Sequence, residues 1–343
     1  MLAPQGCVAL SWELARGTSP APSWTKMNSK PWLVTGAAGF LGSHVVEHLL
    51  QQQVPVIGLD NLFSGKWQFL APFATHPRFK FICQDIRDQA AMTEIFLRER
   101  PATVIHLAAL HFIPAANRDP SLTVSLNIHG TQCVLTACRE ANVLRFWFAS
   151  TADVYPASEK PHHESHPAGP FSIYGLTKWT GEKLIQLEAT LHPERHFVVG
   201  RLFNLYGPHE TNPHILPEII TQIKNANGSK VLSLGSVTPK RDLVPVVDAA
   251  RAVVEMVEKS TPGVTTVNLG TGFSVSIQEV VERISVLLGK PLTIETDPKK
   301  VRPIERPHLQ ADVAALRSMI GWSPHTDLSR GLGELLRYEG VLS

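Results

Sequence analysis

Cysteine is scarce. The chain has four in 343 residues, and only Cys133 and Cys138 lie near one another, with no ligand motif around them. A disulfide framework and a zinc ribbon are therefore unsupported, and free thiols in a reducing compartment are the simplest account. Charge of one sign is missing too: 32 Lys and Arg stand against 30 Asp and Glu. No basic surplus calls for a nucleic acid, and no acidic surplus suggests a self-repelling tail. No apolar run approaches the roughly 20 residues that cross a bilayer. The opening segment MLAPQGCVALSWELARG has no basic start and breaks its apolar run at Glu13, which argues against a secretory signal. Internal repeats and long low-complexity tracts are absent as well.

What is present is a core. Hydrophobic residues make up 43% of the chain, which excludes wholesale disorder. At roughly 150 residues per domain, the length suggests two domains. Residues 1–29 read as a leader or flexible arm, with Met27 as an alternative start. From residue 30 to 203, short apolar runs (WLVT, PVIGLD, FKFIC, TVIHL, LRFWFAS, HFVVGRL) alternate with segments of helical spacing. That pattern predicts an α/β fold, a parallel sheet with helices on both faces. Residues 204–343 read as a smaller C-terminal lobe that binds substrate, with chain segments crossing between the lobes. VLSLG, TTVNLG and PLTIE are its expected strands, and Ser276 with Glu279 predicts a capped helix ending near Gly289.

Gly36, Gly39 and Gly42 form GxxGxxG between the first strand and the first helix. The first glycine serves the turn, the second leaves room for a diphosphate at the helix N-terminus, and the third lets helix and strand pack closely. This placement favours a dinucleotide over a purely structural turn. Asp60 closes the second strand, eighteen residues beyond Gly42. Its carboxylate can accept both ribose hydroxyls and would repel a 2′-phosphate, so NAD is expected rather than NADP.

Tyr174 and Lys178 have the four-residue spacing that puts two side chains on one helix face. A nearby ammonium favours tyrosinate, and the spacing predicts a lowered tyrosine pKa. Thr151 or Ser150, at the end of LRFWFAST, can hold the substrate hydroxyl whose proton that tyrosine takes.

The ordered series VTGAAGFLG, VIGLDNLFSGK, VIHLAA, FASTADVYP, YGLTK, RLFNLYGP, RDLVPVVD and VRP resembles the extended short-chain dehydrogenase/reductase family, and most of all its nucleotide-sugar epimerase and dehydratase branch. The resemblance runs over about residues 31–338 and implies a Rossmann-like domain. It assigns Tyr174 as catalytic base and acid, Lys178 as its electrostatic partner and nicotinamide-ribose anchor, and Thr151 as the hydroxyl-positioning residue. Asn127 resembles the helix residue that supports the site. Asp85 and Ile86 resemble an adenine-binding element, although Asp85 could equally cap a helix, and Ala108 lies in the backbone passage beside the cofactor. His106 in that passage reads as structural.

The implied reaction removes the hydroxyl proton and a hydride from C4 of a nucleotide-diphosphate sugar, then returns the hydride to the opposite face. Dehydratases of this branch place two acids after the catalytic threonine. Here Ala152 and Asp153 follow, so 4-epimerisation is expected over dehydration, decarboxylation or a catalytically silent, regulatory NAD-binding role. Asn204, Arg241 and Arg302 match family positions near the substrate phosphates, where guanidinium pairs well with phosphate oxygens. His111 falls where a family loop approaches the sugar. His162, His163 and His166 lack the cysteines that would complete a zinc site and read as a solvated lid; no metal is required. Two apolar stripes, Val124–Ile128–Leu135–Cys138 and Leu176–Trp179–Leu184–Leu187, read mainly as sheet cover, with a homodimer contact as the other use. Neither a nucleic acid nor a membrane is an expected partner, and a cytoplasmic location is expected.

Overall fold

The computed structural model describes residues 30–225, 230–301 and 306–342. The arm read at residues 1–29 and the phosphate contact expected from Arg302 lie outside the described residues. The strands are β1 (Trp32–Thr35), β2 (Val56–Asp60), β3 (Phe79–Cys83), β4 (Thr103–His106), β5 (Arg145–Thr151), β6 (His196–Leu202), β7 (Asn204–Tyr206), β8 (Val231–Leu234), β9 (Lys240–Arg241), β10 (Leu243–Pro245), β11 (Gly263–Leu269), β12 (Val275–Ser276), β13 (Thr293–Thr296) and β14 (His308–Leu309). The α-helices are α1 (Phe40–Gln51), α2 (Gln89–Glu99), α3 (Ile113–Arg118), α4 (Pro120–Val124), α5 (Thr131–Glu140), α6 (Ile173–Leu191), α7 (Ile215–Asn225), α8 (Val246–Glu258), α9 (Ile277–Leu288), α10 (Ala314–Ile320) and α11 (Leu328–Tyr338).

The chain divides into two compact units. Unit 1 takes the described residues up to Val154, then Ala168–Arg201 and Ala250–Val267; unit 2 takes Tyr155–Pro167, Leu202–Ala249 and the described residues from Asn268 onward. The division is thus interleaved, with a segment of unit 2 before residue 203 and a segment of unit 1 after it.

Unit 1 is built on a seven-stranded sheet in the order β11-β6-β5-β4-β1-β2-β3. β1 pairs in parallel with β2 and β4, β2 with β3, and β4 with β5. Strands buried on both faces need continuous apolar sequence, and all five residues of β2 are buried. TTVNLG, read as a strand of the C-terminal lobe, instead supplies β11 at the edge of this sheet.

Helix α6 corrects the reading of its apolar stripe. Its buried face carries Tyr174, Thr177, Lys178, Gly181, Glu182, Ile185, Glu188 and Ala189. Leu176 and Leu187 point away, 44% and 57% exposed. That face is mostly small and functional residues with Ile185, so Leu176 and Leu187 are left outside while Leu184 packs against the core from its edge. The other stripe is broken by a π-helical turn, Ser125–Gly130. The extra residue in each such turn shifts the register, so Leu135 and Cys138 are core while Val124 is exposed.

Cys133 and Cys138 are free and buried. Cys83 is disulfide-bonded, so the free-thiol reading does not extend to it. No helix among the described residues is long and apolar enough to cross a membrane.

Unit 2 holds small sheets: β7 with β10, β8 with β13, and β9 between β12 and β14. Its core gathers Ile219, Leu232, Leu234, Val280, Ile284, Leu332 and Leu336. The predicted capping box is present at Ser276 and Glu279, and α9 ends at Gly289 with φ 61°.

Candidate active site

The glycine turn shows three distinct local needs. Gly36 has φ +71°, and a Cβ there would meet the Ala108 backbone nitrogen at 2.8 Å. A Cβ on Gly42 would overlap the carbonyl oxygen of Gly36, so the third glycine sets how closely α1 approaches the turn. Gly39 is different. Its nearest obstacle would be the Gly36 oxygen at 3.1 Å, and its φ of −83° suits any residue. It is the N-cap of α1, with no side-chain cap and no acid in the first turn. Uncapped backbone N–H groups at the positive end of the helix dipole suit an anion.

Asp60 is buried at the end of β2. Its Oδ2 accepts from the Ala38 N–H at 3.0 Å and its Oδ1 from the Leu62 N–H at 2.7 Å. Burial raises its pKa, and these backbone bonds oppose that rise. A carboxylate has about four acceptor positions, so capacity remains for hydroxyls. Asp85 accepts from Asn61 at 3.1 Å and pairs with Arg87 at 2.6 Å. Burial works to raise its pKa, but the Arg87 and Asn61 contacts together hold it low. It caps no helix, since Asp88 is the N-cap of α2 and accepts from Ala91. The Ile86 side chain is buried in the core, against Gly130. The Ala108 N–H reaches the Thr35 hydroxyl at 3.3 Å. His106 is structural, as expected. Its ring bonds Thr35 at 2.7 Å and Thr131 at 3.0 Å, and burial with the Lys178 charge pushes its pKa down to about 3.

Tyr174 and Lys178 do share a helix face. Ser172 starts α6 by accepting from the Gly175 N–H at 3.0 Å, which puts Tyr174 in the first turn and Lys178 one turn on. The Tyr174 phenol lies beside the Thr151 side chain. The predicted lowering of its pKa is not found: burial pushes it up to about 12 although Thr151 opposes the rise. Burial likewise pushes Lys178 down to about 7. Both side chains have left water, and in the free protein desolvation outweighs the lysine's field.

The neighbouring polar residues resolve two choices left open by the sequence. Ser150 does not face Tyr174; its Oγ donates to Glu182 at 2.5 Å. Thr151 is the hydroxyl at the phenol, and the Asp153 N–H donates to it at 3.2 Å. Asn127 spends its amide on structure. It accepts from the Leu110 N–H at 2.8 Å and donates to the Leu110 carbonyl and the Thr177 hydroxyl, both at 3.0 Å. It ties the loop after β4 to the residue before Lys178. Sequence reasoning missed Glu182 and Arg201, although Glu182 continues the Tyr174, Lys178 spacing by one more turn.

In unit 2, Asn204 begins β7 and its N–H donates to the Asp242 carbonyl at 3.1 Å. This places it beside the backbone that follows Arg241. The Arg241 guanidinium bonds the carbonyls of Lys240 and Arg306, both at 2.9 Å. His111 lies in the half-buried loop before α3. The histidine loop is not wholly solvated: His162 is 1% exposed, stacks on Tyr155 with centroids 4.7 Å apart, and its N–H bonds the Gln310 carbonyl.

Residues 32–270 match the model of the NAD dependent epimerase/dehydratase family. The chain belongs to that family. Among its relatives, the UDP-glucose 4-epimerase of Yersinia pestis is 30% identical over 324 residues, covering 88% of this chain and 94% of that one. A solved UDP-N-acetylglucosamine 4-epimerase from Methanobrevibacter ruminantium, in complex with UDP-N-acetylmuramic acid, is 28% identical with a TM-score of 0.81, over 91% of this chain and 98% of that one. The UDP-glucuronic acid 4-epimerase of Bacillus cereus, solved as a mutant with a fluorinated UDP-glucuronic acid and NAD, is 28% identical with a TM-score of 0.82, over 90% and 99%.

The residues of this epimerase/dehydratase family member fit NAD on two structural observations. The Lys178 ammonium is buried, with no hydrogen bond or charge among the described residues offsetting its desolvation. Such a group is costly unless a ligand supplies acceptors. Gly39, at an uncapped helix start, offers N–H donors to a diphosphate and puts no side chain in its way.

Proposed function

We propose that the protein interconverts the C4 epimers of a nucleotide-diphosphate sugar with tightly held NAD. NAD, when bound, supplies a positively charged ring that accepts a hydride and gives it back, so none is consumed. Thr151 holds the sugar hydroxyl against the Tyr174 phenol. Tyr174 takes the hydroxyl proton as the C4 hydride leaves, and it returns a proton to the same oxygen after the 4-keto sugar has presented its other face. Lys178 stabilises the phenolate and anchors the nicotinamide ribose, Asp60 holds the adenosine ribose, and Asn204 and Arg241 bind the sugar-nucleotide phosphates. Asn127 braces the helix that carries Tyr174 and Lys178.

The observation that carries this reading is the Thr151 side chain beside the Tyr174 phenol, with a buried Lys178 one helical turn away whose charge no hydrogen bond among the described residues offsets. Ala152 is buried at the position where a dehydratase of this branch has an acid, and it can neither give nor take a proton. That favours epimerisation over loss of water. The curated and solved relatives act on UDP-sugars, so UDP-hexoses lead the substrate list. The test incubates the protein with NAD and UDP-, GDP- and dTDP-hexoses, and separates products by stereochemistry and mass. A product of unchanged mass inverted at C4 is expected; loss of 18 mass units (roughly one water) or no product would refute the assignment. Tyr174→Phe should cut turnover roughly 10²–10⁴-fold and leave NAD binding intact.

The exposed leucines of α6, together with Val124, support a homodimer through this face. A nucleotide-sugar substrate and an NAD cofactor support a cytoplasmic location.

A further inference from the structure

Two contacts join helix α6 to the end of strand β5. At the first, Tyr174 meets Thr151. At the second, two turns along the helix, Glu182 meets Ser150, the residue next to Thr151. Glu182 is itself gripped by Arg201 of β6 through two parallel bonds, Nε to Oε1 at 3.0 Å and Nη2 to Oε2 at 2.7 Å. Ser150 and Glu182 are each 1% exposed, and Arg201 is 7% exposed.

The strand end needs such a fixing. The register between β4 and β5 stops at His106 opposite Phe148, so Ala149, Ser150 and Thr151 run on without β4 on that side, and β6, the strand that carries Arg201, is the neighbour on the other. The Asp153 N–H orients the Thr151 hydroxyl within its own turn but does not tie Ser150 to the helix. Stability alone is a poor reason for the arrangement, because an apolar side chain packed in place of a buried ion pair is often as stabilising. A carboxylate that gives one oxygen to a serine does what an apolar residue cannot: it fixes a hydroxyl-bearing strand end at one height along the helix.

We propose that Glu182, held by Arg201, is a positioning residue that acts through Ser150 to set the Thr151 hydroxyl against the Tyr174 phenol. The inference rests on the 4-epimerase reading above. Removing the Ser150 hydroxyl loosens the second attachment and leaves both catalytic side chains in place. The Thr151 side chain opposes the rise in the phenol's pKa, so moving it away carries the activity profile to higher pH.

The experiment compares wild type, Ser150→Ala and Glu182→Gln as NAD-loaded enzymes on the 4-epimerisation that the substrate panel identifies. Ser150→Ala is the decisive variant, since Glu182→Gln leaves a buried Arg201 poorly compensated and can fail to fold. Ser150→Ala is expected to lose on the order of tenfold or more in kcat at neutral pH, with KM within about twofold, unchanged NAD affinity and an alkaline shift of the kcat profile. Combined with a folded Glu182→Gln, it should add little further loss. A Ser150→Ala enzyme with wild-type kcat and pH profile would overturn the positioning role and leave the epimerase reading intact. A loss of kcat that follows the folded fraction, with no movement in pH, would overturn it too. Wild-type enzyme that forms no C4 epimer would instead sink the reading and this inference together.

Discussion

The Nζ of Lys178 stands 4.7 Å from the centre of the Phe148 ring. An aromatic face attracts a cation, but it does not replace the hydrogen bonds that the ammonium gives up on burial. The folded pKa is accordingly near 7, below the usual 10.5. Between these values the unfolded chain binds a proton that the folded protein has shed, so stability rises with pH across that window. Below about pH 7 both states are protonated and the full destabilisation is present. Lys178→Met should therefore raise the melting temperature of the NAD-free protein on the order of 5 °C at pH 6, with the difference closing toward pH 10. Thermal unfolding across this range checks it; a constant difference would contradict the buried, unpartnered ammonium.

The glycine turn separates folding from binding. Gly42→Ala puts a methyl group onto the Gly36 carbonyl, and overpacking of this kind costs about 1–3 kcal/mol or more. Gly39→Ala brings its methyl group to 3.1 Å from the Gly36 carbonyl oxygen, a tight contact but short of the Gly42 overlap. Its melting temperature should fall less than that of Gly42→Ala, while NAD affinity falls at least about tenfold through the lost approach to the N-terminus of α1. Calorimetric titration beside thermal unfolding distinguishes the two; equal NAD affinity in Gly39→Ala would rule out that approach.

The proposed ribose contact makes Asp60 the residue that should set which dinucleotide enters. Asp60→Asn removes the negative charge and keeps the shape. NAD affinity should fall roughly 10- to 100-fold, the worth of hydrogen bonds to a charged group, while NADP loses less or gains. Dissociation constants for both cofactors are the measurement, and an unchanged NAD/NADP ratio would place the ribose elsewhere.

For the outer face of α6, Leu187→Glu should convert the proposed dimer to a monomer, because Leu187 is 57% exposed in the single chain and a buried, unpaired carboxylate is costly. Light scattering after size exclusion reads the mass directly. A wild-type monomer would remove the proposed dimer.

Much of this could be read from the sequence where the signal is local. The glycine turn and Tyr174 with Lys178 on one helix depend on spacings of a few residues, and Asp60 at its strand end lies only eighteen beyond the turn. Contacts across long separations left no such trace. Ser150 and Thr151 look interchangeable until Glu182, 32 positions away, takes one of them. Asn127 reads as a candidate for catalysis until Leu110 and Thr177 use up its amide. The π-turn at Ser125–Gly130 defeats a stripe drawn at 3.6 residues per turn. The raised Tyr174 pKa was not legible because desolvation depends on depth, and depth belongs to the folded chain. On α6 the periodicity was real but its direction was not, since Gly181 and Lys178 occupy the side that leucines were expected to fill.

The late arrival of β11 has a consequence for biosynthesis. The sheet of unit 1 begins at Trp32, but its last edge strand starts at Gly263. A ribosome that has finished β6 has delivered six of the seven strands, with the β6 edge still waiting for its neighbour. Maturation of this protein cannot proceed as two successive folding events, one per unit. A nascent chain arrested near residue 230 should remain protease-sensitive along β6, and release of the segment through residue 269 should protect it.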